Sequence, residues 1–280
     1  MDSKTQEDIR QMLEEDIGAG DVTTESLVSE EKKAKAKITA GKSGYLAGIP
    51  EAQAVFEELE VSSNPKASDG DKIEAGDTLI EAEGLARGIL TAERVALNLL
   101  SRMSGIATAT REMLDEARKV NSEVQIAATR KTAPLLRRFD KKAVESVGGE
   151  PHRFNLEDFI LIKDNHLELV ESVAEAVQKA RESNPSEKIE VEVDSLEETI
   201  EATEAGTDVV MLDNMSPEEI KEIIRELEES GLRDKVILEA SGGVNPSNVK
   251  EYASTGVDII SSSYMTMQAP ALDMSLEIEE

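Results

Sequence analysis

The chain has 280 residues and no cysteine, and its 59 acidic and 31 basic residues give a formal charge of −28. That length holds one large α/β domain or two smaller ones, each with a proper core. Without thiols there are no disulfides and no thiolate metal sites, and such acidity argues against nucleic-acid or anionic-membrane partners.

The opening residues, MDSKTQEDIRQ, are polar and mixed in charge, so no signal peptide is expected. No later stretch is apolar enough for a membrane span, and a cytoplasmic protein is the expectation. Next, KAKAKITAGKSGYLAGI reads as strands, PEAQAVFEEL as a helix and DGDKIEAGDTLIEAEG as a hairpin with Gly-Asp turns. TAERVALNLLSRMSGIATATREMLDEARKV follows with helical spacing. Val95, Leu99, Met103 and Ile106 form its apolar stripe, and Arg94, Asn98 and Arg102 line another face. Gly105 marks a break or a close approach within it.

From Val124 onward an apolar, β-rich run ending in polar residues recurs: VQIAATRK, FILIKDNH, IEVEVDS, DVVMLDN, VILEASGG and VDIISSSY. Charged helical segments such as LVESVAEAVQKARE and SLEETIEATEAG lie between several of them. This alternation predicts parallel βαβ units and an α/β barrel, complete or incomplete. A doubly wound sheet is the competitor, but no G-x-G-x-x-G follows the first strand. The acidic excess is spread over helix faces such as EEIKEIIRELEE, and aromatic residues make up only 2% of the chain, which suggests a protein adapted to concentrated salt.

Parallel barrel strands end on one face, so their terminal polar residues converge. These are Arg130 and Lys131; Lys163, Asp164 and His166; Glu192 and Asp194; Asp213 and Asn214; Ser241, Gly242 and Gly243; and Ser261, Ser262 and Ser263. Both histidines of the chain, His152 and His166, lie near this set. Residues 130–163 carry eight cations against five acids, a basic island in an otherwise acidic chain. Arginine forks and lysines suit carboxylates and phosphates. The glycines of EASGGV suit a phosphate, and Glu192 and Asp213 suit ribose hydroxyls or magnesium. Lys141 and Lys142 read as a solvated helix face, as do Arg137 and Arg138 unless they join the island's trap. The whole suits a small polyanion bearing carboxylates and phosphate.

The segments AERVALNLLSRMSGIATAT, TRKTAPLLR, GGEPHRFNLEDFILIKDNH, EVEVDSLEE, VVMLDNMSPEEI, LEASGGV and APALDMSLEI together closely resemble the quinolinate phosphoribosyltransferase family. EEDIGAGDVTTE extends the likeness over essentially the whole chain. The resemblance implies an α/β protein with a small N-terminal α/β sandwich (residues 1–108, joined by 270–280) and an incomplete (β/α) barrel (109–269). It implies phosphoribosyl transfer from phosphoribosyl pyrophosphate to quinolinate with decarboxylation, giving nicotinate mononucleotide, pyrophosphate and CO2 for NAD biosynthesis.

By motif, Thr129, Arg130, Lys131, His152, Arg153 and Lys163 would hold the quinolinate carboxylates, with Lys131, Glu192 and Asp213 as catalytic residues. Glu192 and Asp213 would face the ribose, and Ser241, Gly242, Gly243, Ser262 and Ser263 would surround the 5′-phosphate. The resemblance also implies magnesium, carried mainly by the substrate near Glu192 and Asp213. It further implies a homodimer or dimer-based hexamer in which Arg94 crosses into the neighbouring site. Leu135 after Pro134, Val147 and Ser263 stand where the family often has glycine. The rivals are a paralogue for another acid, a nucleotide-sensing protein without activity, and an aldolase-like barrel using Lys163.

Overall fold

The computed structural model describes residues 2–279, which form two compact units. Of these, residues up to 108, 142–147 and those from 269 onward make the first, and residues 109–141 and 148–268 the second. Lys142–Val147 thus packs with the first unit, although the sequence reading keeps it with the barrel.

The first unit opens with α1 (Ser3–Ile17), α2 (Val22–Leu27), β1 (Lys33–Ala40), β2 (Gly44–Tyr45), α3 (Ile49–Glu58), β3 (Ser62–Pro65), β4 (Lys72–Ile73) and β5 (Thr78–Leu85). It also takes most of the long helix α4 (Ala86–Arg118) and the last strand, β12 (Met274–Glu279). Its main sheet is antiparallel, in the order β12-β1-β5-β3. Alternation along β1 buries Ala36, Ile38 and Ala40 on one face, and Ala52, Val55 and Phe56 of α3 join them in the core. The expected hairpin is not formed: a turn with Gly76 at φ 94° links β4 to β5, but β4 pairs with β2, and β5 lies between β1 and β3. The longer β1 offers β5 a full-length partner, which the two-residue β4 does not.

Helix α4 runs unbroken for 33 residues, and its stripe Val95, Leu99, Met103 and Ile106 is buried. Gly105 does not break it. A Cβ there would sit 2.3 Å from the Pro270 carbonyl oxygen, so the glycine admits the returning C-terminal segment.

The second unit holds β6 (Gln125–Ala128), α5 (Arg137–Ser146, continuing into the first unit), β7 (Ile160–Ile162), α6 (Asp164–Leu167), α7 (Val173–Ser183), β8 (Ile189–Val193), α8 (Leu196–Glu204), β9 (Val209–Asp213), α9 (Pro217–Glu229), β10 (Ile237–Ser241), α10 (Val249–Ala253), β11 (Ile259–Ser262) and α11 (Tyr264–Met267). Serines start three of the helices: Ser172, Ser195 and Ser216 accept N–H bonds from the first turns of α7, α8 and α9. Glu219 returns the bond to Ser216, and Pro217 sits where a missing N–H costs nothing.

The six strands are parallel, in the order β6-β11-β10-β9-β8-β7. The β6–β11 pairing closes the ring on one side, and β6 and β7 are the only sequence neighbours left unpaired. Glu150 partly fills that gap, exchanging backbone bonds of 2.8 Å with Ile126 and Ala128. The fold is therefore an incomplete (β/α) barrel. Among the described residues no helix is long and apolar enough to cross a membrane.

Of the two lysines expected on a solvated face, Lys141 has no exposed surface, and its Nζ donates to the Pro151 carbonyl; Lys142 stays half-exposed but donates to Glu51, itself buried, at 2.6 Å. Each shields an otherwise unpaired polar group, which outweighs the pull of solvent on a lysine. Leu135 is 89% exposed with φ 66°, so its side chain packs against nothing while its backbone adopts a glycine-like turn.

Replacing Gly105 by alanine should lower the unfolding free energy by about 1–3 kcal/mol through overpacking against Pro270. A denaturant midpoint unchanged from the parent protein would show that the segment at Pro270 gives way freely.

Candidate active site

Side chains of a strand alternate, so every second residue of a barrel strand points inward. The inward set here ends in polar groups at the C-terminal rim: Ala128 on β6, Leu161 then Lys163 at β7, Glu192 on β8, Met211 and Asp213 on β9, Ser241 on β10 and Ser261 on β11. With Thr129, Arg130, Lys131, His152, Arg153, Asn214, Gly242 and Gly243 they line a cavity of about 390 Å³. Beside it a smaller cavity of about 170 Å³ shares Thr129, Lys131, Ser241, Gly242 and Gly243 and adds Ser262, Ser263, Tyr264 and Asn245.

The cations stand close together. Arg153 is buried, and both its burial and the charge of Arg130 lower the pKa of its guanidinium. Arg130 keeps a buried Nε without a hydrogen-bond partner among the described residues. Arg137 is not part of this wall: it donates to the Phe154 carbonyl at 2.8 Å, and to Thr132 and the Arg130 carbonyl, bracing the loop that carries the cations. Lys131 is exposed; its carbonyl accepts from Thr266 Oγ1 at 2.7 Å, and its N–H bonds Thr129 Oγ1.

Facing them are the acids. Lys163 is hydrogen-bonded to Glu192. Burial raises the carboxyl pKa of Asp213, and the charge of Glu192 raises it further, against the smaller pull of Asn214, Lys163 and Lys131. Two acids that crowd each other in this way favour positive charge arriving between them.

The glycine loop is sterically set. Gly242 has φ 102°, and a Cβ on it would lie 2.3 Å from Asn214 Oδ1; Gly243 has φ 65°. Side-chain amides of Asn245 and Asn248 donate to the Gly243 carbonyl and pin the loop. The Ser262 hydroxyl is occupied internally, donating to Val244 O at 2.6 Å and accepting from Tyr264 N–H. Ser261, one of the converging strand ends but not among the residues the resemblance gives to the 5′-phosphate, has a buried hydroxyl with no partner among the described residues.

The sequence reading missed two residues outright. Glu190 and Glu239 sit two positions before Glu192 and Ser241, hence on the same inward face one layer deeper, and neither has exposed surface. His152 Nε2 lies 3.3 Å from Glu190 Oε2 and 3.4 Å from Glu239 Oε2. Burial alone would lower the histidine pKa, but the two carboxylates outweigh it and raise it to about 9. Burial likewise raises the carboxyl pKa of Glu190. The signal was available: EVEV and LEAS each place an acid at an inward position of an apolar strand.

His166 is exposed, and its Nδ1 accepts the Lys163 N–H at 3.0 Å as a helix cap. Arg94, on α4 in the first unit, is exposed, and among the described residues it pairs with the adjacent Glu93.

Known proteins carry the same pattern. The model of the quinolinate phosphoribosyl transferase N-terminal domain matches residues 21–104, and that of the C-terminal domain matches 106–277. A probable nicotinate-nucleotide pyrophosphorylase [carboxylating] of Methanothermobacter thermautotrophicus is 46% identical over 96% of this chain and 97% of its own. The human nicotinate-nucleotide pyrophosphorylase [carboxylating] is 37% identical over 90% of this chain and 85% of its own. The crystal structure of nicotinate-nucleotide pyrophosphorylase from Ehrlichia chaffeensis superposes with a TM-score of 0.92 at 37% identity, covering 100% of this chain and 99% of that one. The chain belongs to the quinolinate phosphoribosyl transferase family.

Proposed function

We propose that this protein transfers the phosphoribosyl group of phosphoribosyl pyrophosphate to quinolinate and releases CO2, giving nicotinate mononucleotide and pyrophosphate for NAD biosynthesis. The observation that carries this reading is the crowding of Arg130 against Arg153 opposite the acids Glu192 and Asp213. A dicarboxylate relieves the first repulsion, and a developing ribosyl cation relieves the second.

In this reading Arg130, Lys131, Arg153 and Lys163, with Thr129 and His152, orient the two carboxylates so that the pyridine nitrogen faces the anomeric carbon. That nitrogen forms the new C–N bond as the bond to pyrophosphate breaks. Glu192 and Asp213 stabilise the oxocarbenium-like ribose. The ribosylated ring nitrogen is cationic and stabilises the electron pair left on the adjacent carbon when its carboxylate departs as CO2, and that pair then takes up a proton. Ser241, Gly242, Gly243 and Ser263 receive the 5′-phosphate, and Ser262 holds the loop. Glu192 and Asp213 would lie beside a magnesium ion brought in mainly by the substrate, which would neutralise charge on the leaving group. No covalent enzyme intermediate is needed. A monoacid would leave part of the cationic wall unpaired, which disfavours nicotinate as substrate.

The same reading makes the protein a cytoplasmic homodimer, or an assembly of dimers, with Arg94 completing the partner's site. The exposure of Arg94, which leaves its guanidinium open to a partner chain, supports this. The dispersed acidity supports a working environment of concentrated salt, where a screening length of about 3 Å at molar ionic strength removes the long-range repulsion of an anionic substrate.

The direct test supplies quinolinate, phosphoribosyl pyrophosphate and magnesium at low and at molar potassium chloride, with nicotinate as a parallel substrate. Nicotinate mononucleotide from quinolinate alone, formed faster in high salt, is the expected result; folded protein inactive with quinolinate at every salt concentration would overturn the assignment. Lys131→Ala should lower kcat/KM by at least about a hundredfold while leaving the unfolding transition in place. Lys131→Ala and Arg94→Ala, each inactive alone, should recover activity when mixed and allowed to exchange subunits, to about a quarter of the sites. Mixtures that stay silent after proven exchange would put Arg94 outside the partner's site.

A further inference from the structure

At the floor of the substrate cavity, which Glu239 of β10 helps to line, Glu239 and Glu190 of β8 present carboxylates to the barrel interior, both with no exposed surface. None of their four oxygens has an aligned hydrogen bond among the described residues. Isolated buried carboxylates of this kind are costly, and a strand offers apolar alternatives at every inward position. The group that meets both is His152, whose Nε2 stands between one oxygen of each. We infer that Glu190 and Glu239 are positioning residues, a carboxylate clamp that fixes the ring of His152 and balances its positive charge so that His152 can receive a substrate carboxylate. This rests on the dicarboxylate reading of the cavity given above.

The backbone supports the inference. His152 adopts φ 54°, a left-handed conformation that is unfavourable for a side chain with a Cβ. The segment is held there from both sides. Lys141 donates to the carbonyl of Pro151, Arg137 donates to that of Phe154, and Glu150 bridges to β6. The ring of Phe159 packs edge-on against the imidazole at 5.1 Å. Four elements therefore combine to put one ring in one place.

Charge decides what that ring can do. With Nε2 turned to the carboxylates, Nδ1 is the ring's remaining polar atom. In a neutral imidazole donating through Nε2–H, Nδ1 carries a lone pair and repels a carboxylate; in the imidazolium it carries a proton and binds one. The neighbouring cations work against the charged form: Arg153 adjoins His152 in sequence, Arg130 faces the same cavity, and Lys188 stands over the Phe159 ring. The clamp must outweigh both these charges and burial.

The test uses the full chain with Glu190→Gln and Glu239→Gln, which keep shape and a hydrogen-bond acceptor but remove charge. The chain has only two histidines, so a His166→Asn variant assigns the ring signals of His152 in nitrogen-15 spectra. The parent protein should show His152 charged at about pH 8, and each variant should show it neutral there. Quinolinate affinity, measured by calorimetry, should change little between about pH 6 and pH 8 in the parent but fall by about tenfold or more in either variant. A neutral His152 in the parent, or a variant with the parent's pH profile, would overturn the clamp. So would a stoichiometric transition metal in the purified parent that either substitution removes, since the carboxylates would then serve the ion. If the ring signals behave as expected but the parent does not bind quinolinate, the clamp stands and the substrate assignment falls.

Discussion

Period-two alternation along parallel strands is the constraint on which this site depends. A residue on β8 or β10 faces either the barrel interior or the surrounding helices, and there is no third direction. Once Glu192 and Ser241 point inward at the rim, Glu190 and Glu239 must point inward below them. The floor of the cavity is therefore ionic by construction, and a compensating group has to come from outside the regular strands. It comes through the gap between β6 and β7, where the segment at Glu150 takes a strand-like place and delivers His152 and Arg153. The incompleteness of the barrel and the charge of its floor are thus two sides of one arrangement.

The basic island in an acidic chain divides along the same line. Of its eight cations, Arg130, Lys131, Arg153 and Lys163 line the cavity. Arg137 and Lys141 instead bind backbone carbonyls of the loops that carry the cavity residues, and Lys142 serves Glu51 in the first unit. Local excess of positive charge is consequently a poor guide to which residue meets substrate. What separates the two groups is where the partner lies: Arg137 and Lys141 bind backbone carbonyls of the loops, whereas Lys163 meets Glu192 at the cavity wall and the buried Nε of Arg130 has no partner among the described residues.

Much of this was legible in the residues. The six strands and their polar ends could be read from apolar runs punctuated by Lys163, Asp213 or Ser241, because parallel topology brings such ends together whatever lies between. The stripe on α4 was legible for the same periodic reason. Three features were not. Pairing of β4 with β2 depends on a competition for β5 that no local pattern records. Burial of Lys141 depends on where Pro151 arrives, ten residues on. The deeper acids were hidden by expectation: an acid inside an apolar strand reads as solvent-facing until the partner that neutralises it, His152, is placed in space.

Precision in the site then comes from joining two kinds of backbone. The strand residues Glu192, Asp213 and Ser241 sit on hydrogen-bonded ladders that cannot drift. Their counterparts occupy conformations that an unconstrained chain would leave: His152 at φ 54°, Asn214 at φ 57°, Gly242 at φ 102° and Gly243 at φ 65°. Each non-glycine of this kind costs about 1–3 kcal/mol and survives only where its surroundings over-determine it. Here they do. Asn214 is tied to the Ser241 carbonyl through its own N–H at 2.8 Å, and it meets Gly242 so closely that no side chain fits between them. The loops most exposed to drift are therefore locked to the strands least able to move.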